Sequence, residues 1–153
     1  MLRKFAIAGA AIAALTASSF AFAQGANFGT AAEAKAMLEK AVAAVKADKA
    51  KAIAMFKAGE SGFKDRDLYP FCANVSDTVV NAGPPTLIGK KADELKDSTG
   101  KMFGLEMQKV ATEGKFAEVT YKFPRPGADT TPVDKVSYVT KVGDQFCGVG
   151  YYK

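Results

Sequence analysis

FAEVTYKF (116–123), VDKVSYVTKV (133–142) and QFCGVGYYK (145–153) follow one another as three β-strand patterns, separated only by PRPGADTTP (124–132) and GD (143–144). Apolar and polar residues alternate along the first two, as a strand with one buried face requires. Segments rich in Pro, Gly and Asp are turns. Strands joined by turns this short pair antiparallel, because a parallel crossover needs a dozen or more residues. The C-terminal quarter is therefore expected to be an antiparallel meander.

Working back from it, Phe103, Met107, Val110 and Ala111 share one face of a helix over Lys101–Thr112, and Gly114 is a good residue just past its end. Asp93 or Asp97 is its candidate cap. TLIGK (86–90), behind Gly83-Pro84-Pro85, reads as a short strand. FCANV (71–75) and TVVNAG (78–83) read as a hairpin turning at Ser76-Asp77, entered through the charged connector FKDRDLY (63–69). Thr30-Ala31-Ala32-Glu33 matches a capping box. The helix behind it carries Met37, Leu38, Ala41, Val42 and Val45 on one stripe. Asp48 caps a second helix, with Ala52, Ile53 and Phe56 on one face and Gly59 and Gly62 ending it. The expected order is α, α, β, β, short β, α, β, β, β. It lacks βαβ alternation and defines an α+β domain whose helices pack on the faces of an antiparallel sheet.

Residues 1–23 are excluded from that fold. Arg3 and Lys4 precede an apolar, small-residue stretch to Phe20, and Ala21-Phe22-Ala23 before Gln24 fits a signal-peptide cleavage site. The rival is an uncleaved membrane anchor, for which the stretch is short and weakly hydrophobic. Removing 23 of 153 residues leaves 130, enough for one domain (24–153) with its own core. It also leaves 19 basic against 16 acidic residues, with the lysines spread along the chain. A solvated surface explains that better than a nucleic-acid footprint, which clusters its bases. Export to the periplasm or beyond makes a disulfide between Cys72 and Cys147 the expected state, against two buried thiols. Such a bridge would close a loop of about 75 residues and contribute roughly 4 kcal/mol in the chain-entropy model. Histidine is absent, which removes Ser-His-Asp and Cys-His catalysis, His-ligated metals and CxxCH haem attachment. Two cysteines at this spacing give no metal signal, and no cofactor is expected.

FKDRDLYPFCANVSDTVVNAG, then LIGKKADELKDSTGK with Gly89, Lys90, Asp97, Gly100 and Lys101, resembles the N-terminal half of a single Cache domain's sheet and its connection to the pocket helix. Tyr121 with Pro124 and Pro126, then Lys135, Ser137 and Tyr138, then Gly148, Gly150 and Tyr151, resembles the closing strands in the same order. Cache domains are extracytoplasmic, PAS-like small-molecule sensors. The resemblance implies a free-standing, secreted sensor or binding module for a small organic ligand, a short carboxylate above all. It implies that the signal passes to a membrane receptor, and that no catalysis is involved.

On that resemblance Phe71, Tyr121 and Tyr138 line the pocket, and Phe103 roofs it together with Met102 and Met107. A tyrosine offers an apolar ring and a hydroxyl that fixes a carboxylate or water, although ordinary sheet packing uses the same residue. Arg125 and Lys135, near the ends of adjacent predicted strands, are candidates to neutralise an anion. Lys101, at a predicted helix start, is a third. Exposed loop charges are the plainer reading of Arg125 and Lys135. Two other functions compete. One is an interaction module that pairs with a membrane histidine kinase or chemoreceptor and binds no small molecule. The other is a Lys- or carboxylate-dependent lyase or hydrolase using Asp65 and Asp67, which flank Arg66 and read more simply as a solvated charge cluster.

Overall fold

The structure is a computed structural model and describes residues 27–153. The expected signal peptide and its cleavage after Ala23 lie outside these residues. Helix α1 (Ala31–Ala47) starts where the capping box sits. Glu33 N–H donates to Thr30 Oγ1 at 3.3 Å, and Thr30 N–H donates to the Glu33 carboxylate at 2.8 Å. Its buried face is Ala34, Met37, Leu38, Ala41 and Val45, a helical stripe that covers one side of a sheet. Asp48 ends α1 and caps α2 (Lys49–Ala58), accepting from Lys51 N–H at 3.0 Å. Gly59, at φ +68°, takes the left-handed turn that stops α2.

The sheet has five strands: β1 (Pro70–Asn74), β2 (Val80–Ala82), β3 (Ala117–Pro124), β4 (Pro132–Val142) and β5 (Gln145–Tyr152). Their spatial order is β2-β1-β5-β4-β3, and every neighbouring pair is antiparallel. The last three strands form the expected meander, and the N-terminal hairpin joins it through β1 against β5. Helix α3 (Phe103–Val110) packs on the face opposite α1. This is the expected PAS-like α+β architecture. Cys72 and Cys147 stand directly opposite each other across β1 and β5 and are disulfide-bonded, facing α1.

One expected strand is not there. TLIGK is a series of turns, with Leu87 N–H bonded to Pro84 O (2.9 Å) and Lys90 N–H to Leu87 O (3.0 Å). Pro84 and Pro85 bring no N–H to a ladder, and pairing with β2 resumes only at the end of the run, where Gly89 N–H donates to Val80 O and Val80 N–H to Lys90 O, both at 2.9 Å. The chain loops out instead and lays Leu87 over the α3 face of the sheet. Neither Asp93 nor Asp97 caps α3, whose N-cap position is Met102. Asp97 pins the 97–101 turn to β3 instead. It accepts from Lys122 N–H (2.9 Å), the Thr99 hydroxyl (2.6 Å) and Lys101 N–H (3.0 Å). Those bonds, led by the one from Lys122, hold its carboxyl well below the usual carboxylate range.

Candidate functional site

Period-two alternation sorts the sheet residues between two faces. The α3 face receives Phe71 from β1, Tyr121 and Phe123 from β3, Lys135 and Ser137 from β4, and Phe146 from β5. Between them and the covering Leu87, Phe103 and Met107 lies a cavity of about 30 Å³. Two glycines of β5 make room for its floor. A Cβ at Gly148 would sit 2.4 Å from Phe71 Cζ, and one at Gly150 would sit 2.4 Å from Lys135 Cε. The Lys135 stem therefore crosses the sheet over a position that only glycine leaves clear.

Lys135 is 1% exposed. Its ammonium donates to the Tyr69 hydroxyl at 2.9 Å and lies 4.6, 4.9 and 5.0 Å from the ring centres of Tyr69, Tyr152 and Phe123. No carboxylate among the described residues forms an ion pair with it. Removal from water pulls its pKa down to about 7, and the Asp67 carboxylate opposes that from a distance. Cation–π contacts offset part of the desolvation. Beside it the Tyr121 hydroxyl shares a 2.9 Å hydrogen bond with Ser137, and the Tyr121 ring stacks on Phe103 at 4.5 Å. Burial pushes the Tyr69 and Tyr121 phenols up, so both stay protonated at neutral pH. The cavity thus presents an ammonium, neutral hydroxyls and apolar rings, a set suited to holding a small anion and fixing its orientation.

Four of the expected residues, Phe71, Phe103, Tyr121 and Lys135, converge there. Tyr138 does not. It follows Ser137 by one residue and so faces the α1 side, where its ring lies 5.9 Å from Tyr151. Lys101 lies outside as well. Its ammonium is bound to Thr120 O and, at 2.9 Å, to Glu106, which makes it a strut between the α3 start and β3. Arg125, just past β3, lines a separate groove. Met107 borders the cavity as expected and Met102 does not. Asp65 pairs with Arg66 on the surface, while Asp67 is buried and accepts from Gly29 N–H at 2.6 Å. The two carboxylates hold different parts of the chain and do not form a working pair.

Tyr69, Phe123 and Tyr152 are the residues missed by sequence reasoning. Tyr69 was legible in principle, because Tyr69, Phe71 and Ala73 alternate through Pro70 onto one face. Reading 63–69 as a charged connector hid it. Tyr152 pairs directly with Lys135 across β4 and β5, a register that only the folded sheet supplies.

A five-stranded antiparallel sheet with helices on both faces and a small polar-floored cavity under one of them is a PAS-like α+β domain. The Cache-domain family model dCache_2 matches residues 33–150, and the chain belongs to that family, whose members are sensor domains. Among solved structures it is similar to a methyl-accepting chemotaxis protein from Vibrio parahaemolyticus RIMD 2210633, at 23% identity and TM-score 0.62, covering 79% of this chain and 86% of that one. It is similar to the periplasmic sensor domain of a chemotaxis protein at 22% identity and TM-score 0.58, covering 78% and 87%. A third is a Cache chemosensory domain described for carboxylic acid recognition, at 23% identity and TM-score 0.56, covering 78% and 85%. At these identities the likeness is one of fold. No curated protein matches the sequence. Among the described residues no helix is long and apolar enough to cross a membrane.

Proposed function

We propose that this Cache domain is an exported, non-catalytic sensor module that binds a short monocarboxylate at Lys135. The observation that carries the reading is a fully buried ammonium, facing a cavity, whose hydrogen-bond partner is a neutral phenol and which no carboxylate contacts. An uncompensated buried charge is costly. A carboxylate ligand supplies the missing counter-charge, accepts from the ammonium and can take the Tyr121 hydroxyl as a second donor.

Size supports a short ligand. A cavity of 30 Å³ holds about one water, whereas a six-carbon ring needs roughly 150 Å³. An acetate-sized guest therefore has to displace wall residues. Part of the wall lies outside the strands: Leu95, Phe103 and the unbranched Met107 around α3, and Pro84 and Leu87 on the looped-out segment. Displacing that segment is the structural change a membrane receptor or kinase would read. The carboxylic-acid recognition described for one similar structure supports the ligand class.

Titration calorimetry against acetate, propionate and a neutral acetamide control tests this. Saturable binding of the acids is expected, with at least a hundredfold loss in Lys135→Met and a falling affinity above pH 7 as the ammonium discharges. Flat traces with folded wild-type protein end the reading. Export is tested separately: mass spectrometry of the protein recovered from its host should show Gln24 as the first residue, and an intact Met1 would contradict it.

A further inference from the structure

Beside the inner cavity, and sharing Tyr69, Pro84 and Phe123 with it, runs a groove of about 540 Å³. Its volume falls in the range of sites that take whole organic ligands, whereas the inner cavity admits a few atoms at most. Four cations line it, Lys57, Lys64, Arg66 and Arg125, and no carboxylate does. Arg66 is already paired with Glu33 and Asp65. Arg125 is different. Its guanidinium lies 4.3 Å from the Phe28 ring centre and 5.1 Å from that of Tyr152, and its Nε is sealed from water without a hydrogen-bond partner among the described residues. Rings hold the guanidinium in place while its Nε goes unbonded. The open wall is flat and stiff, Tyr69 and Phe123 with Pro84 and Pro124, and the buried Phe56 and Phe63 back it.

We propose that this groove is a second anion site, separate from the Lys135 cavity, and that it takes an aromatic carboxylate with Arg125 as its charged partner. A planar guanidinium matches a carboxylate through two parallel N–H···O bonds. The aromatic and proline walls suit a flat apolar body, which stacks on them with little loss of conformational freedom. Lys57 and Lys64 add a positive field that draws the anion in and is screened by salt. The Cys72–Cys147 side of the sheet and the inner cavity offer no comparable combination of space and unpaired charge.

Benzoate is the probe, titrated by calorimetry beside acetate into wild type, Arg125→Gln and Lys135→Met. The expected pattern is a double dissociation. Arg125→Gln should weaken benzoate at least tenfold and leave acetate within twofold, while Lys135→Met should do the reverse. Raising the salt from 0.05 to about 0.5 M should weaken benzoate severalfold. Benzoate affinity that survives Arg125→Gln, or that disappears in Lys135→Met, overturns the proposal. So does an absence of saturable benzoate binding to folded wild type. If Arg125→Gln fails to fold, Arg125→Lys decides instead: it keeps charge and stem but not the planar fork, and should cost about fivefold for benzoate alone. Arg125-dependent benzoate binding without any acetate binding would sustain this site and refute the inner one.

Discussion

The two faces of one sheet are built to different ends from the same alternating strands. Toward α1 the sheet presents Cys72, Val142, Cys147 and Val149, packed against Ala34, Leu38 and Ala41 with almost no exposure and closed by the disulfide. Toward α3 it presents rings, hydroxyls, two glycines with side chains lying over them, and an ammonium without a counter-ion. The first arrangement maximises apolar contact, which stabilises the fold. The second carries desolvated polar groups that weaken it. Strand periodicity is what keeps the two apart: Ser137 and Tyr138 are neighbours in sequence and belong to opposite sides. If Lys135 holds an anion as proposed, the cohesive half offsets what the desolvated half costs.

If that division holds, the largest effect comes from opening the α1 face. Cys72→Ala/Cys147→Ala removes a bridge across a 75-residue loop, and should lower stability by roughly 4 kcal/mol. For a domain of this size that is a fall of about 10–20 °C in Tm. Below the new transition, acetate affinity should stay within twofold of wild type, because the two cysteine side chains pack into the α1-side core although Cys72 borders the cavity. Urea unfolding and calorimetry on the same samples check both halves. A loss under about 1 kcal/mol would show that the α1 face does not depend on the bridge, and acetate affinity that collapses in protein still folded would show that the faces are not independent.

How much of this division was legible in the sequence depends on which contacts create it. The capping box at Thr30, the helical stripe from Met37 to Val45 and the alternation along β3 and β4 are local, and all were readable. The pairing of Cys72 with Cys147 was also within reach, since two strand-borne cysteines in a chain read as exported have few alternatives. The cavity was only half legible. Phe71, Tyr121 and Lys135 could be nominated from strand pattern and family likeness. Nothing local separates Tyr121, which faces inward, from Tyr138, which faces α1, until register is assigned across β3 and β4. Arg125 and Lys135 looked alike as cations near strand ends. One residue more or less of strand decides that Lys135 crosses Gly150 into the core while Arg125 emerges between Phe28 and Tyr152. The looped-out 84–90 segment was misread because short apolar runs serve strands and turns equally well.

The smaller effect is the more discriminating, because it should have the opposite sign. Lys135→Met keeps the length and apolar stem of the side chain and removes its charge. In the unfolded chain the lysine titrates near 10.5, and in the fold near 7. Below pH 7 both states hold the proton, so the full cost of burying the ammonium falls on the native protein. Between 7 and 10.5 the unfolded state binds more protons than the native one, so wild-type stability from this group rises with pH through that window. Lys135→Met should therefore be more stable than wild type at pH 6, by about 1–3 kcal/mol, and the gain should shrink toward zero by pH 10. It will not be larger, because the Tyr69 hydroxyl loses its partner and the three rings lose a cation–π contact. Urea melts of both proteins at pH 6, 8 and 10 measure the difference directly. A variant less stable than wild type at every pH would mean that the lysine binds the rings and Tyr69 strongly enough to hold the α3 face together. The contrast between a cohesive face and a face strained for ligand binding would then be lost, and with it the argument that the buried ammonium awaits an anion.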